Sequence, residues 1–252
     1  MRVAEGVPNS ELGERTAQSE LVHLRRWLRV GGAIDYLTTD HAVMMTIGSP
    51  IVQPQQSKSR GLTLEQTIEE QVDYFEVIHR EIPGARLGAI ESLGFFEVQG
   101  LTGRHYSRTV PALPLWPFET YLDTLLAAMQ RRGLVLEHFH IDFGFEGVRH
   151  DGGGGDVLDF GRVLAVEAAC QARGVKAGVI VNAFHDARVQ APDRATANRE
   201  ARERTLRYFH GYAAAGGKAD HLVLQTWQPY PDRTGPEDDR DTVLGVARDI
   251  LR

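Results

Sequence analysis

Cysteine is nearly absent, with Cys170 the only one in 252 residues. A lone cysteine excludes an intrachain disulfide. It stands among Ala and Val in a helical stretch, which marks it as a small buried residue; a reactive thiol needs an exposed, electropositive setting. Lysine is scarce as well: of 28 basic residues only Lys58, Lys176 and Lys218 are lysines, a bias expected of a GC-rich coding sequence. No basic run occurs and the net charge is −6, which argues against a nucleic-acid partner. No apolar run approaches the length of a membrane span, and Met1 to Glu11 lacks the apolar core of a secretory signal. A cytoplasmic chain with no membrane partner is the expectation.

What is present is a rhythm. At 252 residues with 42% hydrophobic content, the chain can bury one full α/β core, and a single domain over 1–252 is expected. Amphipathic helical spacing over 11–30, 63–82, 118–132, 157–173 and 195–215 is followed each time by a short apolar run, at 33–39, 86–91, 136–143, 176–182 and 221–227. Ser10 and Thr63 are candidate N-caps. Glycines after the helices suit left-handed C-caps. A last helix is expected over about 240–251, and Arg2 to Val7 is a candidate sixth strand. Helix-to-strand turns are short, whereas strand-to-helix loops are long (41–62, 92–117, 144–156, 183–194, 228–239). That asymmetry belongs to a (β/α) barrel of TIM type, incomplete or N-terminally truncated because only five strands are clear. A doubly wound sheet is the alternative, but the glycine-rich phosphate turn usual after its first strand is missing.

Each run stops on a polar residue: Asp40, Glu91, Asp142, Asn182 and Gln225/Trp227. Parallel strands open their C-terminal ends on one side, where active sites are built. On Glu137 to Phe143, alternation puts His138, His140 and Asp142 on one face and Phe139, Ile141 and Phe143 on the other. Three polar groups turned inward need partners, so substrate contact at Asp142 and His140 is expected over a merely hydrogen-bonded interior. Glu91 follows small apolar residues, an environment that raises a carboxyl pKa and suits a general acid. Asp40, followed directly by His41, is the third carboxylate. Two carboxyl groups about 5–10 Å apart are what glycoside hydrolysis requires. The expected catalytic set is therefore Glu91 and Asp142 with Asp40 third; His138, His140, His41, Asn182, Gln225 and Trp227 bind the substrate. Gly152 to Gly155 lacks the Lys-Ser/Thr of a phosphate loop. Trp116 and Phe118, among three prolines, could make an aromatic lid or a packed surface loop. Glu237 to Asp239 reads as a solvated helix start.

With its strand-helix rhythm, rim carboxylates and Trp227 ending the last strand, the chain resembles the TIM-barrel glycoside hydrolases. That resemblance implies a metal-free hydrolase acting on a small glycoside or oligosaccharide, with Trp227 as a stacking platform. The chain differs from that group in carrying Asn182 at the end of its penultimate strand and Ile90 before Glu91. His185 opens an alternative: with Glu91, Asp142 and His140 it could hold one divalent metal ion, as in barrel-fold sugar isomerases and lyases. A third reading is a non-catalytic sugar- or partner-binding fold, and assembly with a second copy stays open.

Overall fold

The computed structural model describes residues 8–40, 42–43, 62–98, 116–148, 158–181, 193–225 and 230–252. They divide into two units, Met1–His140 with Ala169–Lys176, and Ile141–Ala168 with Ala177–Arg252.

The first unit opens with α1 (Leu12–Arg29), preceded by a short 3-10 turn. Ser10 does not cap it. Instead the Glu70 carboxylate, reaching from the next helix, accepts the Gly13 amide at 2.9 Å, a long-range substitute for a local cap. Strand β1 (Tyr36–Asp40) starts three residues later than the apolar run predicts. The Ala33 carbonyl is taken by the Trp27 indole at 3.0 Å. Helix α2 (Leu64–Glu81) begins where Thr63 predicts, through a reciprocal capping box. Gln66 N donates to Thr63 Oγ1 at 3.2 Å, and Thr63 N donates to Gln66 Oε1 at 2.9 Å. Strand β2 (Arg86–Ser92) follows. Two short strands, β3 (Phe96–Glu97) and β4 (Trp116–Pro117), pair in parallel. Helix α3 (Phe118–Arg131) leads through Gly133, at φ 69°, into β5 (Leu136–Asp142). Only glycine takes that left-handed turn without strain. The core of this unit is aromatic: Phe96, Phe118, Tyr121 and Phe139 are fully buried, and the Phe139 ring stands edge-on to Phe118 at 5.2 Å.

The second unit takes up the chain with a single helical turn, α4 (Phe145–Val148), then α5 (Gly161–Gln171) and β6 (Lys176–Val181). Helix α6 (Arg194–Ala214) is capped by Asp193, whose carboxylate accepts the Thr196 amide at 2.8 Å. Strand β7 (His221–Leu224) is shorter than the run predicts. Helix α7 (Val243–Ile250) starts at the Thr242 cap rather than at Arg240. Fully buried Val163, Val166, Val179, Val181, Ala197 and Tyr208 make its core.

The strands form one parallel sheet in the order β1-β2-β5-β6-β7, with β1 and β7 at its edges. This overturns the expectation of a (β/α) barrel of TIM type. Closure requires the first strand to pair with the last, and about eight tilted strands are needed to enclose a filled interior. Among the described residues only five strands join this sheet, and the two outer ones stay unpaired to each other. Arg2 to Val7 lies outside the described residues. No helix of the described residues is long and apolar enough to cross a membrane.

Candidate functional site

Register decides which polar groups meet. On the β1–β2 ladder Tyr36 pairs with Arg86, Thr38 with Gly88 and Asp40 with Ile90. Paired residues share a face, so Thr38, Gly88, Asp40 and Ile90 lie on one side, and Thr39, Ala89 and Glu91 on the other.

On the first side His138 is fully buried. Its Nε2 is 2.8 Å from Thr38 Oγ1, and which of the two donates follows the imidazole tautomer. The Tyr36 ring meets its edge at 5.3 Å, and the His140 ring lies tilted at 4.6 Å. The imidazole occupies the space a side chain on Gly88 would take: a Cβ there would stand 2.1 Å from Nε2. Thr38, Asp40 and His140 are half-buried. Polarity on this face thus runs from an enclosed histidine toward accessible groups, two of them (Asp40 and His140) nearer the C-terminal strand ends. A face of hydroxyl, carboxylate and imidazole groups can bind a hydroxyl-rich molecule and exchange protons with it.

Glu91 faces away from this group. It is 0% exposed, and its Oε1 accepts the Val43 amide at 3.0 Å. The Tyr121 hydroxyl donates to Gln71 Oε1 at 3.2 Å and also faces the Glu91 carboxylate. Gln71 Nε2 in turn donates to Thr39 Oγ1 at 2.7 Å. Burial, and then the charge of Glu91, pushes the Tyr121 phenol well above the ordinary tyrosine range. It therefore remains a hydroxyl donor.

Asp142 belongs to the second unit and is 8% exposed. There the Tyr208 phenol, raised by burial and then by the Asp142 charge, donates to the Phe143 carbonyl at 2.9 Å. The Arg162 guanidinium lies over the Phe143 ring, 5.1 Å from its centroid. Burial lowers it to about 10.

The structure brings His138 and His140 together with Thr38, and sets Glu91 apart from Asp40 by strand parity. Gln225 is half-buried just beyond β7. His41, Asn182, His185 and Trp227, and with them Gly152 to Gly155, lie outside the described residues. Among the described residues no group of three or more His, Cys, Asp or Glu is placed to hold a metal ion. Phe118 is a core residue rather than part of a lid, and Cys170 is buried, as its sequence context predicts. Asp239 accepts the Asp241 amide and pairs with Arg233, in a turn ahead of α7 rather than in its first turn. Sequence reasoning missed Gly88, Thr38, Gln71 and Tyr121. A glycine inside a strand is a signal of close approach; Gln71 and Tyr121 sit on helix faces with no local mark of their role. No protein-family model matches the chain, and no curated protein is similar to it in sequence.

Proposed function

We propose that this chain is a glycoside hydrolase-like enzyme that cleaves a carbohydrate by carboxylate acid–base chemistry. The observation supporting it is the polar face of β1 and β5, where half-buried Asp40, Thr38 and His140 share a side of the sheet with an enclosed, hydrogen-bonded His138. Glycoside cleavage needs one carboxyl group to protonate the leaving oxygen and a second to activate water or attack the anomeric carbon. Asp40 is the carboxylate of this face assigned to this work. Glu91, with no exposed surface, is not assigned to substrate. His140 and Thr38 bind substrate hydroxyls, and His138 holds Thr38 in place.

The test is turnover of a panel of chromogenic aryl glycosides by the full chain. Asp40→Asn should lower kcat roughly 10²–10⁴-fold, the usual size of a lost general acid or base, with a thermal midpoint near that of the parent. Binding of sugars without turnover would make the chain a binding protein. Near one tightly held divalent ion per chain, lost in His140→Ala, would move the reading to a metal-dependent isomerase or lyase.

A further inference from the structure

The buried groups behind Asp40 form a connected path. Thr39, the residue before Asp40, is held by Gln71. Val43, three residues after it, is held by Glu91. Gln71 and Glu91 both meet the hydroxyl of Tyr121. Exposure of Thr39, Val43, Gln71, Glu91 and Tyr121 is 3% or less in every case.

We infer that Glu91, Gln71 and Tyr121 are positioning residues that hold the chain on both sides of Asp40, by the Thr39 hydroxyl before it and the Val43 amide after it, and so fix where its carboxylate points. The inference rests on the reading of Asp40 as a reacting group. The geometry supports it in three respects. The two contacts fall on either side of one residue, only four positions apart. They converge on a single phenol carried by a different element, α3, so that β1, β2, α2 and α3 are tied together at this point. And the clamped residue, in register with Ile90, has its side chain on the opposite face, where Thr38 and His138 lie. A buried carboxylate is a costly way to hold a chain segment. Its use directly beside a strand-end aspartate is accounted for if the position of that aspartate matters.

Glu91→Ala and Glu91→Gln separate this role from proton transfer. The amide keeps an oxygen for the Val43 N–H but cannot act as an acid. In Glu91→Ala the kcat on the best glycoside should fall about 10²-fold, the scale of a misplacement near 1 Å, with KM nearly unchanged; Glu91→Gln should recover most of the loss. A Gln variant as inactive as Asp40→Asn would overturn the inference, because it would make the proton of Glu91 the essential feature. Should Glu91→Ala fail to fold, Tyr121→Phe serves in its place.

A second readout needs no substrate. Carbon-detected NMR titration of the Asp40 carboxyl should give a shifted midpoint in Tyr121→Phe, and amide exchange at Val43 should quicken. Unchanged values of both would overturn the clamp. Absence of glycoside turnover by the parent chain would defeat the hydrolase reading, while the NMR readout would still decide the clamp.

Discussion

The two faces of the β1–β2 ladder put their polar groups to different use. Behind the sheet Thr39 and Glu91 are sealed in with Gln71 and Tyr121, where they contact one another. In front, Thr38 and Asp40 stay half-buried, Tyr36 is 42% exposed, and only His138 is enclosed. A sealed polar network satisfies itself and specifies one packing. A half-open one retains hydrogen-bonding capacity for a ligand. The comparison teaches that the most buried carboxylate, Glu91, is not for that reason the reactive one. Perturbing surroundings mark structural networks as well as active sites.

Substitutions can sharpen this contrast. The largest effect is expected behind the sheet, at Phe139, fully buried against Phe118 and Tyr121. Phe139→Ala should cost about 4 kcal/mol in urea unfolding, transfer and cavity terms together. A loss below about 1 kcal/mol would mean that this side is not the packed core it is taken for. On the front, Gly88→Ala must displace the His138 ring from 2.1 Å. It should cost about 2–3 kcal/mol as overpacking and shift the His138 imidazole resonances. Gly84→Ala is the control, since nothing lies within 4 Å of a Cβ there; it should change stability by no more than about 0.5 kcal/mol. Between the two lies Thr38→Val, which removes the hydroxyl next to Nε2 and should cost about 1 kcal/mol. If Thr38→Val proved as damaging as Phe139→Ala, the front face would have to be counted as core.

Much of the local structure was legible. Periodicity located five helix-strand pairs, and the Thr63-to-Gln66 spacing fixed the start of α2 through a box that needs only four consecutive residues. Alternation along β5 correctly separated Phe139, which packs on α3, from His138, which packs on Thr38. The start of α1 was less legible, because its cap comes from Glu70, 57 positions away. The ends of β1 and β7 were misplaced for a related reason. An apolar run records which residues can be buried, not where the ladder stops.

The sequence by itself determined the parallel α/β class, the order of helices and strands, and the face each side chain takes relative to its strand neighbours, because these follow from local periodicity and capping. Tertiary structure decided how many strands the sheet has and which faces coincide. A period of two gives parity within a strand, yet only the register, with Asp40 opposite Ile90, shows that Glu91 is out of phase with Asp40. A slip of one residue would have put them together.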